Sequence, residues 1–338
     1  MPLFQHHDPS SVELFLYSSL ERPDAETDWY RALSGAHWRE IQRMDDERAA
    51  ELVRQDGIDI LVDLALHCSG SRLRLFAYKP APVQMTWLGY VGTTGLDTMD
   101  YRITDRFCDP PGSDLSVYSE ESIQLPSCFW SYDALQSDLP EGPPPGLAAG
   151  NITFGCQNNP RKLHPEVLAL WARVLREVPG SRLFLYLEEY AREALLQTLA
   201  DHGIQAKRIE FGGRVSRREY LERYRRIDIA LDTFPYAGGT TSIDALWMGV
   251  PVVTLSGASS MQRAGVSIAM SLGLPELVAN SEAEFVAKAV ELSHDLERLS
   301  RLRAELRARL EASPLGDTAR FARDLERAYR EAWRRYCS

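Results

Sequence analysis

The stretch Leu231–Gly257 reads LDTFPYAGGTTSIDALWMGVPVVTLSG. Its centre, Gly238-Gly239-Thr240-Thr241, falls where a strand-like apolar run hands over to a helix-like pattern. A helix N-terminus offers unpaired N–H groups and a partial positive charge. Glycine lets a ligand approach the backbone closely, and Thr240 and Thr241 add hydroxyl donors. These are the parts of a phosphate site. Asp244, about one turn on, is placed to accept from ribose hydroxyls. The same residues also fit a plain helix start, with Thr240 as N-cap and Asp244 as a first-turn acid matched to the dipole.

Three other stretches carry chemistry-bearing residues. CQNNPRKLHP sets Asn158, Asn159 and Lys162 just ahead of a helix. Lys162 suits a diphosphate as a point charge, while Asn-Asn-Pro also reads as a simple turn. RVSRREYLERYRR places Tyr220 and Arg223 three residues apart on one helical face, and an aromatic with an arginine can sandwich a planar base. Arg225 and Arg226 read better as a solvated basic face. In the first half, LALHCSG puts His67 just past a strand, and WLGYVGTTGLD forms a turn around Gly89, Gly92 and Gly95. No Asp-x-Asp pair and no His/Cys cluster at metal-ligand spacing occurs in the sequence. A departing diphosphate would therefore be balanced by a helix N-terminus, a lysine and hydroxyls, with no metal.

The elements that must position these residues alternate between two periods. In the first half, VELFLYSS, IDILVDLAL, PVQMTWLGY and MDYRITD read as strands, and DDERAAELVRQDG as a helix stopped by Gly57. In the second half, strands ITFGCQ, SRLFLYL, RIEFGG, IALDTF and PVVTLSG alternate with helices. That order implies parallel sheets covered by helices on both faces. The tail from Ser281 is almost all helix and opens with a Ser-x-x-Glu capping box. SDLPEGPPPGLAAGN, Ser137 to Asn151, is rich in Pro and Gly and marks the domain boundary. The expected organisation is a first α/β domain over 1–136, a linker over 137–150, and a second α/β domain with C-terminal helices over 151–338. Ligands of parallel sheets sit beyond the carboxyl ends of strands, so the loops above line a cleft between the two halves.

Composition excludes several classes. The formal net charge of −10 over 338 residues leaves no basic footprint for nucleic acid. No apolar run nears the ~20 residues of a membrane helix, and the start MPLFQHHDPSS lacks the pattern of a signal peptide. Five widely spaced cysteines fit a reducing, cytoplasmic compartment better than a disulfide framework.

Four separated motifs, in order, make a resemblance specific. PAPVQMTWLGYVGTTGLDTMDYRITD, FGCQNNPRKLHPEVLALWARVLREVPGSRL, the opening stretch and the closing SPLGDTARFARDLERAYREAWRRY together resemble the catalytic region of O-GlcNAc transferase/SPINDLY glycosyltransferases of the bacterial type. The resemblance runs from His6 to Tyr336. It implies a GT-B fold of two Rossmann-like domains with a helical C-terminal tail. It also implies an inverting, metal-independent transfer of GlcNAc from UDP-GlcNAc to Ser or Thr hydroxyls of proteins, with no further cofactor. Asn159 and Lys162 match its diphosphate contacts, Gly238, Gly239, Thr240 and Thr241 its phosphate loop, and Asp244 its ribose acceptor. Arg217, Tyr220 and Arg223 fall where it contacts uracil, and His67 falls in a catalytic loop. The chain departs at Gly239, where animal members have a histidine, at Pro160-Arg161, at Leu66, where glycine is usual, and at Val91. The tetratricopeptide array and the first strand of the catalytic region, with its loop, have no counterpart here. The expectation is a chain that binds UDP but transfers sugar poorly, with a less stable first half. Two alternatives stand beside it: a nucleotide-sugar-binding homologue without turnover, and a UDP-GlcNAc 2-epimerase-like isomerase using Asp63 and Asp97.

Overall fold

In the computed structural model, residues 2–135 and 138–338 are described. Met1 and the sequence-derived boundary at Gln136 and Ser137 lie outside them. The chain groups into two compact units, residues 1–133 with 317–338, and residues 134–316.

The first unit carries α1 (Pro2–Gln5), β1 (Leu14–Ser18), α2 (Ala25–Arg31), β2 (Ala36–Glu40), α3 (Asp46–Gln55), β3 (Ile60–Asp63), α4 (Leu73–Ala77), β4 (Val83–Thr86), β5 (Tyr101–Asp105) and β6 (Glu121–Leu125). All strand pairs are parallel, in two sheets ordered β1-β2 and β3-β4-β5-β6. β4 is buried at every position, as a central parallel strand covered on both faces must be. α3 begins where Asp45 accepts from the Arg48 N–H at 2.8 Å, and its Ala49, Ala50 and Val53 pack on Ile41, Leu61, Leu75 and Phe76. The sequence reading did not anticipate β2 and β6.

The second unit carries α5 (Gly146–Ala149), β7 (Thr153–Cys156), α6 (Pro165–Glu177), β8 (Arg182–Tyr186), α7 (Arg192–Asp201), β9 (Ile209–Gly212), α8 (Arg217–Glu222), β10 (Ile229–Leu231), α9 (Thr240–Trp247), β11 (Val252–Leu255), α10 (Ala264–Ser271), β12 (Val278–Ala279), α11 (Glu282–His294) and α12 (Leu296–Ala312). Its sheet is parallel throughout, ordered β12-β11-β10-β7-β8-β9. From β7 the chain winds outward through β8 and β9, then crosses to β10 on the other side. The topological switch point therefore lies between the carboxyl ends of β7 and β10, where ligands of doubly wound sheets bind. α6 covers this sheet with Val167, Leu168, Leu170, Trp171, Val174 and Leu175, all buried.

Two boundaries differ from the sequence reading. The Pro/Gly-rich stretch is no free linker: it is tied into the second unit. Asp228 accepts from the Gly146 N–H at 2.9 Å, and Arg307 pairs with Glu141 at 2.8 Å. Arg303, almost fully buried, donates to the carbonyls of Ile227 and Gly142. The last helix, α13 (Thr318–Cys337), belongs to the first unit rather than to the C-terminal domain. Its stripe of Phe321, Ala322, Leu325, Ala328 and Ala332 is buried. Phe321 stacks on Trp87 with ring centroids 5.3 Å apart, and Glu326 accepts from His7 Nδ1 at 2.8 Å. Periodicity reveals that such a helix has an apolar face, not which sheet that face covers.

Candidate functional site

In the second unit, the residues singled out in sequence converge on the start of α9. Gly239 is its N-cap and no side chain caps it. The first-turn N–H groups of Thr240 and Thr241 thus point out of the helix end unsatisfied by a cap. Thr240 is exposed. Thr241 Oγ1 donates to Asn158 Oδ1, which ties α9 to the end of β7 across the switch point.

Asp232, at the end of β10, organises the loop. It is buried and accepts from the Gly238 N–H at 2.7 Å, the Thr233 N–H at 2.9 Å and Thr254 Oγ1 at 2.9 Å. Burial pushes its carboxyl above the usual range, while the Gly238 N–H, the Thr254 hydroxyl and the Lys162 charge pull the other way. Gly238 has no room for a side chain: a Cβ there would lie 2.0 Å from Ser242 Oγ and 3.0 Å from both Asn158 Oδ1 and Asp232 Oδ1. Its glycine is thus a packing requirement of the loop as well as a route for close approach.

Lys162 ends a short 3-10 turn, Pro160–Lys162, ahead of α6. Its Nζ donates to the Ala237 carbonyl at 2.8 Å and lies 3.7 Å from the Tyr236 ring centroid. The ammonium is therefore held on the same loop as the open end of α9. The Asn159 side chain accepts from the Arg161 N–H at 3.0 Å through Oδ1 and caps the turn that carries Lys162. Asn158 is the asparagine that faces the loop, with Nδ2 3.0 Å from Thr233 Oγ1.

The base-side residues are also regrouped. α8 stops at Glu222 and tightens into a 3-10 turn over Arg223–Arg226. Arg223 donates to the Gly213 carbonyl at 2.5 Å. The guanidinium near Tyr220 is that of Arg217, 5.3 Å from the ring centroid. Arg217 also forms a two-pronged pair with Asp244, at 2.8 and 2.6 Å. Asp244 is 1% exposed, so it holds Arg217 rather than presenting a free carboxylate to a ribose. Tyr220 Oη lies 3.0 Å from Tyr224 Oη, which donates to the Thr241 carbonyl at 2.8 Å. Burial, then the Asp244 charge, raises the Tyr220 phenol well above its ordinary range, so it stays a neutral donor.

The candidate site residues read from sequence left out Asp232, Tyr224, Tyr236 and Gln157. The signal for Asp232 was present, an acid closing an apolar strand at a glycine loop. Gln157 offers none: its Nε2 donates to the Tyr220 carbonyl at 3.3 Å, and its buried Oε1 has no partner among the described residues.

In the first unit, His67 is exposed on the loop after β3. Its Nε2 lies 2.9 Å from the Thr93 carbonyl. A carbonyl only accepts, so Nε2 carries the proton and Nδ1 is the basic atom. Asp63, the candidate acid of an isomerase, is buried and accepts from the Ala65 and Leu66 N–H groups and from Thr86 Oγ1, at 3.2, 2.9 and 2.8 Å. These bonds commit it to building the His67 loop. Asp97 is exposed.

Leu66 precedes His67 with φ +46°, a left-handed conformation. This costs a non-glycine residue ~1–2 kcal/mol. The side chain is 1% exposed, and burying a leucine contributes ~1.5–3 kcal/mol. Leu66→Gly relieves the strain but loses the burial, so stability is expected to fall. Leu66→Ala loses the burial and keeps the strain. Thermal melting should therefore rank Leu above Gly above Ala, and an alanine variant matching or exceeding the glycine one refutes the strain account.

Comparison with known proteins bears on all of this. Glycosyl transferase family 41 matches residues 2–137 and 145–325. A tomato (Solanum lycopersicum) SPINDLY, described as a probable UDP-N-acetylglucosamine–peptide N-acetylglucosaminyltransferase, is 40% identical over 98% of this chain and 36% of its own length. The chain thus spans about a third of that relative. Among solved structures, a lysine-to-methionine mutant of Thermobaculum terrenum O-GlcNAc transferase superposes with a TM-score of 0.92 at 41% identity, covering 99% of this chain and 64% of that one. Anabaena HepE in complex with UDP and glucose shares the fold, with a TM-score of 0.59 at 13% identity over 98% of this chain and 95% of that one.

Proposed function

The chain belongs to glycosyl transferase family 41 and has its GT-B fold, and from that premise we propose that it binds UDP-GlcNAc in its second unit and transfers GlcNAc to Ser or Thr hydroxyls of proteins with inversion. The observation that carries the donor reading is the meeting of Lys162 with the uncapped end of α9 on one loop at the switch point. Both oppose the negative charge that grows as the sugar–phosphate bond breaks. Their contribution is largest in the transition state, which is what acceleration requires. Tyr220 and Arg217 supply a flat aromatic and a guanidinium for the base. The acceptor is a protein hydroxyl, and His67 Nδ1 is the first-unit atom suited to take its proton.

An isomerase reading loses its acid, since Asp63 is spent on the loop. The reaction is proposed to run without a metal or cofactor, its charge balanced by Lys162 and the helix end. No helix among the described residues is long and apolar enough to cross a membrane. The free cysteines, Cys68, Cys108, Cys128, Cys156 and Cys337, fit a reducing cytoplasm.

Calorimetry with UDP, UDP-GlcNAc and uridine tests the reading. UDP is expected to bind at least ~10-fold more tightly than uridine, because charge-assisted phosphate contacts add to the base contacts. EDTA should leave the UDP affinity unchanged. Equal affinity for uridine and UDP, or binding that returns only with Mn²⁺, refutes the phosphate site. Mass spectrometry of acceptor proteins incubated with a panel of nucleotide sugars then identifies the sugar transferred.

A further inference from the structure

His67 Nε2 meets the Thr93 carbonyl at 2.9 Å, and its ring packs edge to face with Tyr90, centroids 5.8 Å apart. That carbonyl belongs to the peptide group joining Thr93 to Thr94. The N–H of the same group donates to Glu120 Oε1 at 2.6 Å. In a trans peptide the C=O and N–H point opposite ways. One planar unit thus carries the imidazole on its oxygen and a carboxylate on its nitrogen. Glu120 directly precedes β6 and is 4% exposed.

The protons around Glu120 can be assigned. Thr93 Oγ1 accepts from the Gly95 and Ser119 N–H groups, both at 3.2 Å, so its own proton goes to Glu120 Oε2 at 2.8 Å. Thr94 Oγ1 accepts from the Leu96 N–H at 3.2 Å and donates to Glu120 Oε1. Three donors converge on two oxygens, the pattern that an acceptor-only carboxylate needs. Buried charges are ordinarily paired with a countercharge. Among the described residues, Glu120 is met instead by two hydroxyls and one peptide N–H. The hydroxyls fix the carboxylate against the loop, and the peptide leads to His67.

We propose that Glu120 is a positioning residue for His67, acting on the imidazole through the Thr93–Thr94 peptide group, a role that rests on the reading of His67 Nδ1 as the base. Hydrogen bonds in a chain polarise one another. A carboxylate drawing on the Thr94 N–H therefore makes the Thr93 carbonyl a stronger acceptor. That holds the ring proton on Nε2 and keeps Nδ1 as the basic atom. It also favours the imidazolium that forms during transfer. In that step the acceptor oxygen bonds to the sugar carbon and gives its proton to Nδ1. The sugar–phosphate bond breaks, and its electron pair leaves with the diphosphate.

Two variants separate charge from shape. Glu120→Gln keeps an acceptor for Thr94 and removes the charge; the Thr93 hydroxyl can then turn its proton to Ser119 Oγ, 3.0 Å away. Glu120→Ala removes both. Nitrogen NMR of the His67 ring, at a pH where the ring is neutral, reads the link directly. The parent should show the proton on Nε2. In Glu120→Gln the Nε2 resonance should shift as its hydrogen bond weakens. In Glu120→Ala the two nitrogen resonances should move toward each other as the tautomers mix. These spectra decide the link whether or not the chain turns over. In transfer assays, Glu120→Gln should lower kcat ~10-fold, a share of the ~10²–10⁴ that a positioned base contributes. KM for the nucleotide sugar and the UDP affinity should stay as in the parent. In a His67→Ala background the same change should cost nothing further, because Glu120 acts only through the ring. Ring nitrogen spectra unchanged in Glu120→Gln overturn the proposal. So does a loss of kcat that is as large in the His67→Ala background, which would make Glu120 a plain anchor of the loop. His67→Ala that transfers like the parent refutes the base reading itself, and the spectra distinguish that result from failure of the link.

Discussion

Gly238→Ala is expected to lower UDP affinity by at least ~10-fold, and overpacking of this kind costs ~1–3 kcal/mol of stability. The added methyl would lie 2.0 Å from Ser242 Oγ, an overlap that Ser242 can relieve by rotating. It would also lie 3.0 Å from Asn158 Oδ1 and Asp232 Oδ1, and these cannot retreat as easily. Asp232 is held by the Thr233 N–H and Thr254, and Asn158 by Thr233 and Thr241. The loop must give instead, and with it the first-turn N–H groups of α9. A helix-end phosphate site depends on where those groups point, so binding should suffer more than melting. Adding Ser242→Ala should restore part of the stability and less of the affinity, since it removes the worst overlap and leaves the other two. A Gly238→Ala protein that binds UDP like the parent would show that this loop does not hold phosphate.

The parallel α/β character was legible because central strands are buried on both faces and read as apolar runs, as in Leu183–Leu185 and Ile229–Leu231. β2 and β6 were not. Their residues, Ala36–Glu40 and Glu121–Leu125, mix charges with apolar groups, as befits terminal strands with one open edge. The helix start at Thr240 followed from local chemistry alone. Even so, the Ser281 box closed differently: Ser281 accepts from the Glu284 N–H at 3.1 Å, but Glu284 reaches back to the Asn280 N–H at 2.8 Å.

The candidate site was legible by residue type and less so by partner. Lys162, Gly238 and Thr241 fall together as their spacing to strand ends requires. Asn158 and Asn159 are neighbours of the same type, and only the fold decides that one faces the loop while the other caps a turn. Arg217 and Arg223 pose the same problem. Both lie three residues from Tyr220, and only the fold decides that Arg217 lies over its ring while Arg223 turns to the Gly213 carbonyl. Asp244 reads as a free acid in sequence because nothing local announces that Arg217, 27 residues earlier, closes on it.

Lys162→Ala should weaken UDP binding by ~1.5–3 kcal/mol, the range for a hydrogen bond to a charged group, or roughly 10- to 150-fold. In the unliganded protein the ammonium donates to the Ala237 carbonyl and makes a cation–π contact with Tyr236. Its positive charge also acts on the buried Asp232 carboxyl, and a diphosphate at the end of α9 would be drawn to the same charge. Its loss should therefore fall on UDP and UDP-GlcNAc and spare uridine, whose contacts lie with Tyr220 and Arg217. Lys162→Arg keeps the charge but replaces a compact ammonium with a planar fork, so it should recover only part of the affinity. In a form of the protein that transfers sugar, removing a donor aimed at the developing charge typically costs ~10²–10³ in kcat. That exceeds the binding loss, because the leaving diphosphate is more negative than the bound donor. Calorimetry with UDP and uridine, beside single-turnover transfer, separates the two effects. If Lys162→Ala weakens uridine and UDP equally, the lysine is a structural brace for the loop and the charge-balancing role fails.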